Sequence, residues 1–80
     1  MNVSVDISYY PLKVEFVEPI LDFIHRLQDR KELDISRNGM STQVFGKYDE
    51  VMSILTEEIK KSFELPHSVF ILKIVNSDLQ

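Results

Sequence analysis

"NGMSTQVFGKYDEV", residues 38–51, holds a turn, a strand and a helix start in fourteen positions. Asn38 and Gly39 both accept positive φ, so the pair predicts a β-hairpin. Met40 to Phe45 reads as the return strand, ended by Gly46. Asp49 and Glu50 then place negative charge at a helix N-terminus, where the helix dipole favours it. The strand is unusual in carrying Ser41, Thr42 and Gln43 in a row. Alternation sends Met40, Thr42 and Val44 one way and Ser41, Gln43 and Phe45 the other. Val44 belongs with the core, which draws Thr42 inwards, and a buried hydroxyl needs a partner. One reading gives Thr42 a local backbone bond and leaves Ser41 and Gln43 outside. The other gathers these groups with nearby tyrosines and a methionine into an apolar cleft with a few convergent polar atoms.

The flanking segments supply the rest of the fold. Val3, Val5, Ile7 and Tyr9 alternate with Ser4, Asp6, Ser8 and Tyr10, which predicts a half-buried strand closed by Pro11. Residues 16–31 change to helical spacing, with Phe16, Ile20, Phe23, Ile24 and Leu27 as the stripe and Val17 and Leu21 at its margin. Pro19 is tolerated only in a first turn, so the regular helix is expected to begin near Val17 or Glu18. Leu33 to Arg37 is the strand before the hairpin. Val51, Met52, Leu55, Ile59 and Phe63 give the second helix its apolar stripe, with Lys60 and Lys61 near its end. Val69 to Val75 is a last strand, and Asn76 to Gln80 is expected to fray.

The order is βαββαβ within a single domain spanning residues 1–80. Right-handed crossovers put both helices on one face of a four-stranded antiparallel sheet, an α+β, ferredoxin-like sandwich. On the last strand Phe70, Leu72 and Ile74 then face the helices. Val69, Ile71, Lys73 and Val75 face outwards, joined by Tyr10 and Phe45. An exposed apolar face of this kind predicts sheet-to-sheet homo-oligomerisation.

Composition excludes several classes of function. Eighty residues with 44% hydrophobic and 28% charged side chains make an ordinary globular chain. There is no cysteine, hence no disulfide and no thiolate metal site; this fits a reducing cytoplasm. The N-terminus has no signal-peptide pattern, and no stretch approaches the ~20 apolar residues of a membrane helix. A net charge of −4 with scattered lysines and arginines argues against nucleic acid. Tyr10 and Phe45 imitate a base-stacking platform, but Asp6 and Gln43 lie where basic residues belong. His25 and His67 read as surface histidines, and Asp49-Glu50 and Glu57-Glu58 as a helix start and a solvated helix face. No cofactor, metal or catalytic group is expected. Arg37-Asn38 is the only pair that suits an acylphosphatase-like hydrolase of this topology. It lies in the hairpin turn, not between the first strand and first helix.

Three stretches, "NGMSTQVFGKYDEVM", "ISYYPL" (7–12) and "SVFILKIVN" (68–76), together resemble the thiamine-binding, YkoF-like protein family over nearly the whole chain. Ser41 stands where many members carry glycine, and Lys13-Val14-Glu15 replaces a Gly-rich loop found in some. The resemblance implies a ferredoxin-like domain that associates through its sheet as a dimer or dimer of dimers. It also implies binding of thiamine or its hydroxymethylpyrimidine part, without catalysis. Met40, Ser41 and Thr42 fall on the family's strand motif, and Ser8, Tyr10 and Pro11 on its first-strand motif. With Asn38, they make Ser8, Tyr10, Asn38, Met40, Ser41 and Thr42 the expected ligand-binding residues. An aminopyrimidine edge carries both acceptors and a donor, which hydroxyls and an amide match. Aromatic rings stack on such a ligand or face its thiazolium cation.

Overall fold

A computed structural model describes residues 1–80. The elements run β1 (Asn2–Pro11), α1 (Val17–Gln28), β2 (Asp34–Arg37), β3 (Thr42–Lys47), α2 (Tyr48–Ser62) and β4 (Ser68–Val75). The strands form one antiparallel sheet in the order β2-β3-β1-β4, the expected α+β ferredoxin-like arrangement. No helix is long and apolar enough to cross a membrane.

β1 is central and sets both faces. Val3, Val5, Ile7 and Tyr9 are buried beneath the helices with Val44 of β3, Phe23 and Leu27 of α1, and Val51, Ile54 and Leu55 of α2. Register puts Tyr9 opposite Phe70 and Ile7 opposite Leu72. Their rings organise one end of the core. Tyr9 stacks on Phe70 at 4.1 Å, and Phe23 meets both edge-on at 5.7 and 5.1 Å. The open face carries Asp6, Ser8 and Tyr10, with Val69, Ile71 and Lys73 across from them.

α1 begins where the proline permits. Phe16 is the N-cap and Val17 the first helical residue, so Pro19 falls in the first turn, where its missing N–H has no intrahelical partner to lose. Phe16 therefore leaves the expected stripe and is half exposed. The β2–β3 hairpin forms, but no residue in it takes positive φ. Asn38 acts through its side chain instead: Oδ1 accepts the backbone N–H groups of Met40 (2.8 Å) and Ser41 (3.1 Å). The return strand starts at Thr42 and runs through Gly46 to Lys47. Glycine fits closely at 46: a Cβ there would meet Val51 Cγ2 at 3.1 Å and the Glu32 carbonyl at 3.2 Å, so these neighbours would have to shift by a few tenths of an ångström.

Two further expectations are corrected. The C-terminal residues do not fray. Ser4 Oγ donates to the Ser77 carbonyl (2.7 Å) and accepts the Leu79 N–H (2.9 Å), which holds the tail across the open face beside Phe45. And Glu58 is not on a solvated face: it is 2% exposed. The buried side of α2 is Val51, Ile54, Leu55, Glu58 and Ser62, while Phe63 is 55% exposed and touches Phe70 edge-on. Glu58 Oε1 accepts Arg26 Nη1 (2.7 Å), and Oε2 accepts Arg30 Nε (3.1 Å) and Nη2 (2.7 Å). Arg26 Nη2 also donates to Ser62 Oγ (2.6 Å). One carboxylate thus ties α1 and its following turn to α2.

Burial alone works to raise the Glu58 pKa, but the hydrogen bonds from Arg30 and Arg26 outweigh it and hold the carboxyl below its usual 4.5. A lowered folded-state pKa contributes stability that is complete above the unfolded value and is lost as pH falls through the folded one. Glu58→Gln should cost about 2–3 kcal/mol at pH 7, because both guanidinium groups lose the buried carboxylate they share and keep only the exposed Asp22 and Glu57. It should also flatten the decline in stability below pH ~5. Glu57→Gln, at the exposed end of the same network, should stay within about 0.5 kcal/mol of wild type. Urea unfolding from pH 7 to pH 3 measures all three, and an unchanged Glu58→Gln midpoint contradicts the clamp.

Candidate functional site

The pairing of β1 with β3 divides the expected ligand residues between the two faces of the sheet. Ile7 lies opposite Thr42 and Asp6 opposite Gln43. Thr42 therefore points under α1 with Ile7, and Gln43 points to the open face with Asp6. The three consecutive polar residues Ser41, Thr42 and Gln43 answer to two different environments.

On the open face the organiser is Asp6. Its Oδ1 accepts Ser41 Oγ (2.8 Å) and Gln43 Nε2 (2.6 Å), and Gln43 Nε2 also reaches Ser41 Oγ (2.7 Å). The bond from Gln43, then that from Ser41, hold the Asp6 carboxyl below its ordinary value, with Lys73 opposite adding a smaller effect. Ser8 and Tyr10 lie further along the same face, opposite Ile71 and Val69. Tyr10 is half exposed and Ile71 is 59% exposed.

On the helix side a cleft of about 90 Å³ opens between α1 and the hairpin. Ile20, Phe23 and Ile24 line it from α1, Ile7 and Tyr9 from β1, and residues 38–42 from the hairpin. Asn38 and Met40 meet Thr42 here. Thr42 is 6% exposed. Its hydroxyl takes part in none of the side-chain hydrogen bonds, and no fully enclosed polar atom is left unpartnered. The Thr42 Oγ1 atom is accordingly open to solvent and has no partner within the chain, and Thr42 lines the cleft. Ile20, Ile24, Asn38 and Gly39 are also walls of an outer groove of about 380 Å³, completed by Val17, Leu21 and Arg37. The small cleft and this groove adjoin, sharing those four residues as walls.

The structure thus joins Asn38, Met40 and Thr42 at one place. Ser8, Tyr10 and the Ser41 hydroxyl lie on the opposite face. Of the neighbouring tyrosines the sequence draws to the cleft, Tyr9 lines it and Tyr10 does not, and Phe23 of the α1 core stripe is an aromatic wall that the sequence does not mark. The sequence also passes over Asp6, whose partners come from a strand 35 or more residues away. No cluster of histidine and acidic residues suited to a metal ion is present, and His25 and His67 are both exposed.

Several solved structures share this fold. A Streptococcus pneumoniae protein matches with a TM-score of 0.87 and 23% identity, covering 99% of this chain and 90% of its own. A Thermotoga maritima protein provisionally assigned to thiamine biosynthesis or salvage also gives 0.87, at 20% identity, covering 96% and 85%. A domain of unknown function from Bacillus cereus gives 0.76 at 17% identity, covering 96% and 77%. No family model matches the chain, and no curated protein matches it. Likeness at these identities establishes a common fold.

Proposed function

We propose that the chain binds thiamine or its hydroxymethylpyrimidine part without catalysing a reaction, as a carrier, buffer or sensor. The observation that carries this reading is the Thr42 hydroxyl, nearly buried beside the rings of Tyr9 and Phe23 and without a partner in the chain. A flat heteroaromatic ring supplies what that place lacks: an acceptor or donor at its edge and an apolar face for the aromatic walls. The binding-only character rests on the lining, which offers a hydroxyl and an amide but no carboxylate or imidazole for proton transfer. The sequence resemblance to YkoF-like proteins and the thiamine assignment of the Thermotoga maritima neighbour point to the same ligand class.

The open face favours a second role, assembly with another copy of the chain. Tyr10, Val69 and Ile71 form an apolar strip there that no element covers. A second sheet laid over them removes that surface from water and places Ser8 and the Asp6 cluster at the interface.

Isothermal titration with thiamine and with hydroxymethylpyrimidine tests the first role. Binding is expected, and Thr42→Val, which keeps the shape and removes the hydroxyl, should weaken it about five- to tenfold. Absence of heat and of any thermal shift at about millimolar ligand contradicts it. Sedimentation tests the second. Ile71→Glu should run as a smaller species than wild type, because a buried charge must be desolvated, while Ser53→Glu on exposed α2 surface should not. An Ile71→Glu protein that sediments like wild type rules out this face as the interface.

A further inference from the structure

Arg37 is the only charged residue in the walls of the cleft or of the groove that adjoins it. The chain as a whole carries −4, and its other arginines, Arg26 and Arg30, are both committed to carboxylates. Arg37 is exposed and makes no ion pair. It ends β2 opposite Thr42, on the helix side of the sheet. Beside it, Asn38 spends Oδ1 on the amides of Met40 and Ser41. That fixes the side chain and leaves Nδ2 as a free donor. The mouth of the site therefore presents donors from a guanidinium and an amide, the floor presents a hydroxyl, and no carboxylate competes with the ligand.

This asymmetry selects for charge. A guanidinium fork pairs with two oxygens of one oxyanion, and a phosphomonoester dianion gains more from it than any neutral group. A cationic ring placed at the same mouth is repelled. We propose that the cleft takes a phosphomonoester of its pyrimidine ligand, with the ring against Tyr9, Phe23 and Thr42 and the ester phosphate at Arg37 and Asn38. The proposal rests on the assignment of the cleft to a pyrimidine. It orders the ligands of that class, with the monophosphate ester first, the free alcohol second, and thiamine, whose thiazolium cation meets Arg37, last.

Titration of the intact protein with hydroxymethylpyrimidine, its monophosphate ester, thiamine and inorganic phosphate tests the order. The ester should bind about tenfold more tightly than the free alcohol at low salt, and the advantage should shrink as salt approaches about 0.5 M. Arg37→Gln should bring the ratio of the two affinities close to one. Lys47→Gln, which removes the same charge at the far end of β3, should leave the ratio as in wild type. Equal binding of ester and alcohol overturns the phosphate assignment while leaving the pyrimidine site intact. So does an ester advantage that survives in Arg37→Gln. Inorganic phosphate binding as tightly as the ester overturns it too, since the ring then contributes nothing. If neither pyrimidine binds, the cleft assignment and this proposal fall together.

Discussion

The alternation of side chains along β1 is the constraint from which the rest of the structure follows. This strand pairs with β3 on one side and β4 on the other, so its odd-numbered residues dictate what is buried and its even-numbered residues what faces outwards. A slip of one residue against β3 would exchange the two sets. Thr42 would move to the open face, and Gln43 would enter the core without the Asp6 carboxylate that accepts its amide. The burial of Val3, Val5 and Ile7, each nearly complete, is what makes such a slip costly.

The helices complete the arrangement in different ways. α2 lies firmly on the sheet, with Val51 and Leu55 fully buried and Gly46 allowing its first turn to approach the strand. α1 is held to α2 by Glu58 and to the sheet by Phe23 and Leu27. Towards the hairpin it stands away from the sheet, and the space left there is the cleft and its groove. The candidate site is thus a consequence of packing: it lies where α1 and the β2–β3 hairpin face each other. The Asn38 side chain closes the hairpin turn by bonding two amides, which keeps Arg37 and Gly39 at the mouth.

Much of this was legible in the sequence because it follows from period and chain order. The βαββαβ order, the faces of Phe70, Leu72 and Ile71, and the inward direction of Thr42 all come from alternation with a core residue as anchor. What was not legible depends on partners distant in the chain. Glu58 reads as solvated beside Glu57, although positions 51, 54, 55, 58 and 62 share one helix face; only Arg26 and Arg30, brought in by α1, make that burial tolerable. The tail reads as frayed because nothing local shows that Ser4 offers it a donor and an acceptor. Asn-Gly correctly marked the turn but not its conformation, since a side-chain bond replaced the positive φ that the pair permits. The division of the expected ligand residues between two faces was within reach of alternation.

The central claim is that the ligand enters on the helix side of the sheet, beside Thr42. Amide chemical-shift mapping during titration with hydroxymethylpyrimidine tests it most directly. The account predicts that the perturbed amides cluster at Gly39, Met40, Ser41 and Thr42 of the hairpin and at Ile20 and Ile24 of α1, with Lys73 and Ile71 of β4 unmoved. Perturbations centred on Ser8, Tyr10 and Ile71, with α1 silent, would place the ligand on the open face and contradict the account.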